Sequence, residues 1–173
     1  GKVLAVDISP ESIEKGKQLW KKQGNLQFEV SDMSDFSKPG ETFDFFVFPD
    51  VLEHIPVAQH ARLFENIQRH AHADSVVLIH IPAPRYLEWM IANQPEKLQV
   101  IDQPLDTGTL VQTLGVAGFY LEKMETYALF FQEKDYQYFV FRAKKSVQQS
   151  TAKNKWQVLK ERILIRLKYG ISS

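Results

Sequence analysis

The sequence contains no cysteine. Disulfide bonds and zinc sites with cysteine ligands are therefore excluded, and the redox state of the compartment stays open. No apolar run approaches the roughly 20 residues that a membrane-spanning helix needs. The opening segment, GKVLAVDISP, has no signal-peptide pattern. These absences favour a cytoplasmic globular protein, and 173 residues are enough for one domain with a single core.

The net charge is zero, but the charges are unevenly distributed. Nine lysines and arginines and a single acid, Glu161, lie between Arg142 and Lys168, whereas residues 1–141 hold 12 cations and 20 acids. The segment KWQVLKERILIRLKYG predicts a basic amphipathic helix at Trp156–Lys168. Three partners remain open for this helix. They are the protein's own body or a homodimer mate, an anionic membrane surface, and nucleic acid, which is the least favoured. Contact with a membrane surface would make the protein membrane-associated.

Strands and helices alternate along residues 1–145, and residues 146–173 form a polar linker and the basic helix. This alternation predicts an α/β fold with a mostly parallel sheet, helices on both faces and an antiparallel hairpin at the C-terminal edge. Phe43–Phe48 is apolar on both faces, which predicts a strand covered on both sides. The other predicted strands are Lys2–Val6, Leu26–Val30 and Ser75–Ile81, with a hairpin of Phe119–Phe131 and Tyr136–Ala143.

Three predicted helices complete the pattern. Ser9 and Pro10 begin the first, as an N-cap and a first-turn proline. The helix Pro56–His72 is expected to leave His60 at the surface. Its expected buried residues are Ala58, Ala61, Leu63, Phe64 and Ile67, and those of the helix near 105–118 are Leu110, Val111, Leu114 and Val116.

Acids follow three of the predicted strands: Asp7, Asp32 and Asp50. Parallel sheets bind ligands at the carboxyl ends of their strands. A carboxylate can accept hydrogen bonds from both hydroxyls of a ribose, which makes these residues candidates for a nucleotide pocket. The alternative for Asp7 is to cap the helix that begins at Ser9.

Four segments occur in an informative order: VLAVDIS, SDMSDF, FDFFVFPDVLEHIP and LIHIPAP, followed by LGVAGFYLEKME and the aromatic hairpin. Together they resemble the class I S-adenosylmethionine-dependent methyltransferases, which have a Rossmann-like fold. The resemblance covers residues 2–143.

The resemblance implies a set of cofactor-binding residues. It implies that Asp7 accepts the ribose hydroxyls with Ile8 against the adenine, and that Asp32 accepts the adenine amino group with Met33 against the ring. It also implies that the next strand end lies beside the methionine arm and the transferable methyl group of S-adenosylmethionine. The residues of that strand end are Pro49, Asp50 and Val51.

His54 is the candidate catalytic residue, because a neutral imidazole beside the methyl donor could take a proton from a hydroxyl or amine. The alternative is a structural role for the Glu-His pair. Glu53 is expected to be a charge at the N-terminal end of the following helix rather than a catalytic group.

The loop PAPRYLEWMIANQPEKLQVIDQP lies where the family builds its acceptor pocket. Arg85, Tyr86 and Trp89 are therefore candidate substrate-binding residues for an anionic or sugar-like acceptor. The alternative is a lid that packs its aromatic rings on the core. No metal site is expected, since His70 and His72, two positions apart at a helix end, would not share a face.

The resemblance also implies a strand and a G-x-G-x-G turn ahead of residue 1, and nothing in the sequence matches them. We therefore expect the N-terminal β-α unit to be missing, with direct pairing of the flanking strands and a contribution from a second chain as the alternatives. On that expectation residues 1–173 alone are inactive and do not bind S-adenosylmethionine measurably, which calorimetry would check.

The sequence thus predicts an S-adenosylmethionine-dependent methyltransferase that acts on an oxygen or nitrogen of a small-molecule, sugar or lipid-linked acceptor. The alternative is a non-catalytic member in which the fold serves for binding or assembly. A nicotinamide dehydrogenase would share the acid after the strand, but the Ser-Asp-Met segment and the terminal hairpin disfavour it.

Overall fold

The computed structural model describes residues 1–32, 36–147 and 151–170. Within these ranges strands and helices alternate, and short 3₁₀ turns lie at Leu52–His54 and Pro95–Lys97. The strands are β1 (Val3–Asp7), β2 (Leu26–Val30), β3 (Phe43–Pro49), β4 (Ala71–Pro82), β5 (Phe119–Tyr127) and β6 (Tyr136–Ala143). The α-helices are α1 (Pro10–Leu19), α2 (Val57–Arg69), α3 (Pro84–Asn93), α4 (Thr107–Val116) and α5 (Lys155–Tyr169).

The strands form two sheets. β1 and β2 pair in parallel, and the second sheet has the order β3-β4-β6-β5. β3 is parallel to β4, whereas β6 is antiparallel to both of its neighbours. The structure confirms the α/β fold with its C-terminal antiparallel hairpin, and it places the carboxyl ends of β3, β4 and β5 at one edge.

The sequence left open whether β1 and β3, the strands that flank the missing β-α unit, pair directly. Within the described residues these two strands belong to different sheets and do not pair with each other. The alternative of direct pairing between β1 and β3 is therefore wrong. The ion pair between Lys38 and Glu29 connects the loop before β3 to β2.

The first helix begins as predicted. The Ser9 hydroxyl accepts a hydrogen bond from the backbone N–H of Ser12 at 3.2 Å, and Pro10 is the first helical residue. Gly16 lets α1 approach β2 closely, because a Cβ atom there would lie 2.5 Å from the ring of Phe28. This contact and the buried Ile13 fix α1 on the β1–β2 sheet.

The main core lies between one face of the four-stranded sheet and helices α2 and α4. Its fully buried aromatic residues are Phe48, Phe64, Phe119, Phe139 and Phe141. The opposite face of β3 is open: Phe45 and Val47 are 68% and 56% exposed. The expectation that β3 is covered on both sides is therefore wrong at these two residues.

The buried stripe of α2 differs from the predicted one. It consists of His60, Leu63, Phe64 and Ile67, which follow the i, i+3, i+4, i+7 spacing of one helix face. Ala58 and Ala61 fall outside this stripe and are exposed, contrary to expectation. In α4, Leu110 and Leu114 are buried as predicted and Val111 packs against the core. Val116 is 81% exposed because it is the last residue of the helix.

His60 is also buried rather than at the surface. Its Nε2 lies 3.1 Å from the carbonyl of Leu52 and 2.9 Å from that of Ile55, so the ring donates to the segment that leads into α2. Burial lowers the pKa of His60, which favours the neutral ring. Its role is to fix the 3₁₀ turn and the chain after it.

Candidate functional site

The carboxyl ends of β1 and β2 lie side by side. Asp7 is paired in register with Val30, and the Ser31 N–H donates to the Asp7 carbonyl at 3.1 Å. Asp32 follows directly, and both Asp7 and Asp32 are exposed. The parallel pairing thus brings the two predicted acids to the same edge of one small sheet.

Asp7 supports the turn before α1 without capping the helix, since Ser9 is the N-cap. Its Oδ1 accepts a hydrogen bond from the Ser9 N–H at 2.7 Å, so it orders the turn that enters α1. A carboxylate has capacity for several further hydrogen bonds. Ordering this turn and binding a nucleotide are therefore compatible in this residue.

The residues present fit the nucleoside half of the implied cofactor. Two exposed carboxylates offer acceptors for ribose hydroxyls and an exocyclic amine. Ile8 follows Asp7 and is 71% exposed, which leaves an apolar side chain for a purine ring. Met33, the other predicted ring contact, lies outside the described residues.

The end of β3 is conformationally unusual. Asp50 has φ +51°, and it is the one non-glycine residue with positive φ in the described part of the chain. Aspartate tolerates this left-handed region better than most residues, but the conformation still costs free energy. It is held by the Asp50 N–H, which donates to the His80 carbonyl at 2.9 Å. Strain of this kind concentrates at functional sites.

The Asp50 side chain belongs to a cluster that the sequence did not reveal. Its Oδ2 lies 3.2 Å from His80 Nδ1, and burial together with this carboxylate raises the pKa of Tyr136. His80 Nε2 lies 2.5 Å from the Tyr127 hydroxyl, and its ring stacks on that of Tyr136 at 4.8 Å between centroids. Four strands contribute to this cluster, so no local motif could have shown it. The only sequence signal was a polar His80 at the end of an apolar strand.

Pro49 and Val51 flank Asp50 in this arrangement. Pro49 is the last residue of β3 and is paired with His80, while the half-buried Val51 packs against the main core. The structure therefore brings Pro49, Asp50 and Val51 to the carboxyl edge of the four-stranded sheet.

Glu53 differs from its prediction. It lies in the 3₁₀ turn ahead of α2 and is 2% exposed, so it is not a surface charge at a helix end. Burial raises the pKa of Glu53 to about 7, with opposing contributions from its backbone hydrogen bond and from His54. Its Oε2 has no hydrogen-bond partner within the described residues. Such a buried carboxyl is protonated at neutral pH about as often as it is ionised.

His54 is oriented by the loop after α3. Its Nδ1 lies 2.6 Å from the Ile101 carbonyl and 3.3 Å from Asp102 Oδ1, so Nδ1 carries the proton and donates. Its Nε2 is then the acceptor nitrogen and lies 3.9 Å from Glu53 Oε1. Gln103 also binds the 3₁₀ turn, its N–H donating to the Glu53 carbonyl at 3.0 Å.

The three candidate acceptor residues lie on α3 beside the β5–β6 loop. Tyr86 packs its ring between Trp89 and Phe131, at 5.7 and 4.9 Å between centroids. The Tyr86 hydroxyl is buried without a hydrogen-bond partner among the described residues, and burial raises its pKa. Arg85 forms an exposed ion pair with Glu133 at 3.3 Å. The aromatic contacts thus match the lid alternative, while Arg85 and part of Trp89 face solvent.

The two neighbouring histidines have separate partners. His70 Nδ1 lies 3.2 Å from the Glu41 carbonyl, and His72 Nε2 lies 3.0 Å from Asp44 Oδ1. Within residues 1–32, 36–147 and 151–170, no group of three or more histidine, aspartate or glutamate side chains could hold a metal ion.

Comparison with known proteins gives one family match. Residues 1–74 match a family described as a methyltransferase domain. No curated protein sequence matched the chain.

Many solved structures share the fold. A TehB-like S-adenosylmethionine-dependent methyltransferase from Corynebacterium glutamicum is 21% identical, with a TM-score of 0.61 over 83% of this chain and 68% of that one. An S-adenosylmethionine-dependent methyltransferase from Clostridium acetobutylicum is 10% identical, with a TM-score of 0.67 over 83% and 75% of the chains. The N-methyltransferase NodS from Bradyrhizobium japonicum, in complex with S-adenosyl-L-homocysteine, is 16% identical, with a TM-score of 0.63 over 83% and 67%.

The solved structures show the fold, and the family match covers residues 1–74, less than half of the chain. The chain thus has the fold of the S-adenosylmethionine-dependent methyltransferases to which it is similar, and residues 1–74 resemble a methyltransferase domain.

Proposed function

We propose that this domain transfers a methyl group from S-adenosylmethionine to an oxygen or nitrogen of a small-molecule, sugar or lipid-linked acceptor. The observation that carries the proposal is the parallel pairing of β1 with β2, which sets Asp7 and Asp32 at one edge. These carboxylates suit a nucleoside, and the histidines at the ends of β3 and β4 suit an acceptor that loses a proton.

When bound, S-adenosylmethionine supplies a methyl group on a positively charged sulfur, and the sulfur keeps the electron pair of the bond that breaks. The protein's task is then to align the acceptor atom with that bond and to exclude water. Asp7 and Asp32 hold the nucleoside, Ile8 covers the purine, and the segment Pro49–Val51 borders the reacting end.

His54 remains a candidate base on this proposal. The Ile101 carbonyl fixes its proton on Nδ1, which leaves the Nε2 lone pair to accept a proton. The partly protonated Glu53 lies beside that nitrogen. A catalytic base is needed only if the acceptor atom carries a proton at neutral pH.

The proposal is tested with the purified product of the complete reading frame. It is incubated with S-adenosylmethionine and a panel of hydroxyl, amine, sugar and lipid acceptors, and S-adenosylhomocysteine release is followed. We expect turnover with at least one acceptor class and its loss on replacing both Asp7 and Asp32 by alanine. Cofactor binding without turnover on any acceptor would instead support a non-catalytic binding module.

Helix α5 suggests where a lipid-linked acceptor could be met. Its apolar residues lie at the surface, with Trp156 80% and Leu167 76% exposed, and cations surround them. An amphipathic helix of this kind can lie in the surface of an anionic membrane. No helix in the described ranges is both long enough and apolar enough to cross a bilayer. We therefore propose peripheral contact through α5.

Co-sedimentation with liposomes tests that contact. The intact protein is expected to sediment with vesicles that contain anionic lipid, and less so as the salt concentration rises. A variant that ends at residue 150 should stay in the supernatant. Equal sedimentation of both forms would remove α5 as the membrane contact, and a shift of the intact protein to a dimer in solution would favour the homodimer alternative.

A further inference from the structure

We propose that Asp50, His80 and Tyr127 form a proton relay that serves a hydroxyl acceptor, with the Tyr127 hydroxyl as the group that contacts the acceptor. The inference rests on the proposed methyl transfer and deepens it, since it names the base and the acceptor class. Neither the family resemblance nor the sequence pattern assigned a role to His80 or Tyr127.

The hydrogen bonds of the cluster fix its protonation. Asp50 Oδ2 can only accept while it is ionised, so His80 Nδ1, 3.2 Å away, carries a proton and donates it. His80 Nε2 is then a lone-pair nitrogen, and the Tyr127 hydroxyl donates to it at 2.5 Å. Asp50 thus accepts a hydrogen bond from His80 Nδ1. His80 Nε2 accepts the hydrogen bond that the Tyr127 hydroxyl donates.

Tyr127 has the right properties for the outer end of the relay. It is half-buried at the end of β5, on the edge where the carboxyl ends of β3 and β4 also lie. Burial raises the pKa of Tyr127, and the carboxylates of Asp50 and Asp135 add to the shift. The phenol therefore keeps its proton at neutral pH, and its oxygen retains a lone pair that can accept from an acceptor hydroxyl.

The surroundings of His80 stabilise the charge it would gain. Asp50 faces it from the end of β3, and Tyr136 stacks on its ring at an interplanar angle of 20°. Glu53 from the 3₁₀ turn and Asp135 ahead of β6 act on the adjacent Tyr136 hydroxyl and raise its pKa further, after burial and Asp50. A cation on His80 would thus lie beside the Asp50 carboxylate and against the aromatic face of Tyr136.

The proton balance is simple. The acceptor O–H bond breaks, its electron pair forms the bond to the methyl carbon, and the proton passes to the Tyr127 oxygen. The original Tyr127 proton moves to His80 Nε2, so Tyr127 ends as a neutral phenol and His80 as an imidazolium. The positive charge that leaves the sulfur appears on His80 and is lost to solvent afterwards.

The relay and His54 differ in what their free nitrogen faces. His54 Nε2 faces the buried carboxyl of Glu53 at 3.9 Å. His80 Nε2 is connected to a hydroxyl that stands on the side of the sheet away from the core, since Ile79 and Ile81 point into the core and His80 alternates with them. Of the two histidines, His80 is therefore the one whose Nε2 is connected to a group that can contact an acceptor.

The first test needs no activity. Nitrogen-15 NMR of the histidine rings in the complete-reading-frame protein is expected to show the His80 proton on Nδ1 and a hydrogen-bonded lone pair on Nε2. Tyr127→Phe should shift the His80 Nε2 resonance downfield toward a free imine nitrogen. The matched control is Tyr138→Phe, whose hydroxyl binds Glu125 at 2.8 Å instead of His80 and whose loss should leave the resonance in place. A His80 proton on Nε2 overturns the relay.

The second test uses turnover with a series of hydroxyl acceptors of graded acidity. Tyr127→Phe and His80→Gln are expected to lower kcat by roughly 10²- to 10⁴-fold for weakly acidic hydroxyls, with KM for S-adenosylmethionine unchanged. The loss should shrink as the acceptor becomes acidic enough to ionise by itself. An equal loss across the series would mean that the residues only maintain structure.

The two tests separate the two proposals. Normal turnover in Tyr127→Phe with every acceptor would overturn the relay and leave methyl transfer standing. Absence of turnover in the unmodified protein, with the expected His80 tautomer present, would remove the proposed function and with it the catalytic reading of the cluster.

Discussion

The two strand edges that carry the candidate residues are built in different ways. At the ends of β1 and β2, exposed carboxylates follow short strands, and Asp7 is ordered by its own neighbour Ser9. At the ends of β3, β4 and β5, Asp50, His80 and Tyr127 are bonded to one another across strands. The first edge presents its carboxylates at the protein surface. The second is a preorganised polar network, which suits a reacting group better than a simple binding contact.

The largest expected effect on ligand binding concerns the first edge. Asp7→Ala, made in the complete-reading-frame protein, should weaken S-adenosylhomocysteine binding by roughly 10- to 100-fold, as expected for loss of a hydrogen bond to a charged group. Titration calorimetry measures it. Ser9→Ala is the matched control: it removes the N-cap bond and should cost about 1 kcal/mol of stability with unchanged affinity. Similar affinities for Asp7→Ala and the unmodified protein would show that Asp7 only orders the turn before α1.

The contrast between the edges explains how much the sequence could predict. Asp7 follows an apolar run directly, and Asp32 lies two positions after the alternating strand Leu26–Val30, so strand periodicity was enough to place each acid at a strand end. The parallel register brings the two strand ends together. The fold followed from the same alternation of strands and helices. Tyr127 and His80 are 47 positions apart and meet only because β6 pairs with both β4 and β5, which no local pattern encodes.

Glu53 shows a second limit. In the sequence it stands just before a helix, where an acid is favourable, and that pattern predicted an exposed charge. The 3₁₀ turn at Leu52–His54 instead rotates it inward, and Gln103 and His60 hold the turn by binding its carbonyl groups. Helix propensity describes a residue's local preference, but the loop that covers this turn comes from about 50 positions further along the chain.

Glu53 gives the largest expected effect on stability. Its pKa in the folded protein, about 7, lies above the unfolded value of 4.5. The part of the unfolding free energy that depends on Glu53 is therefore fully present below pH 4.5 and falls as the pH rises. It becomes constant above about pH 7. Relative to Glu53→Gln, the protein should lose about 3 kcal/mol of unfolding free energy across that interval. Urea titrations at several pH values measure it, and parallel profiles for the two proteins would contradict the raised pKa.

A smaller effect isolates the backbone at Asp50. Asp50→Ala and Asp50→Gly both remove the carboxylate that binds His80, but only glycine adopts φ +51° freely. The alanine variant should therefore be less stable than the glycine variant by about 1 kcal/mol. Urea unfolding of both proteins gives the difference. A glycine variant no more stable than the alanine variant would mean that the turn relaxes out of the left-handed conformation.

The smallest expected effect is at Arg85, on the outer rim of the second edge. Its ion pair with Glu133 is exposed on both sides, so Arg85→Ala and Glu133→Gln should each change stability by less than about 0.5 kcal/mol. The two variants should differ in their turnover kinetics, because Arg85 can bind an anionic acceptor and Glu133 cannot. We expect Arg85→Ala to raise the acceptor KM several-fold and Glu133→Gln to leave it unchanged or lower it, since Arg85 is then released from its partner. Equal KM values in both variants would restrict Arg85 to its ion pair and leave acceptor recognition to Tyr127 and the aromatic rings around it.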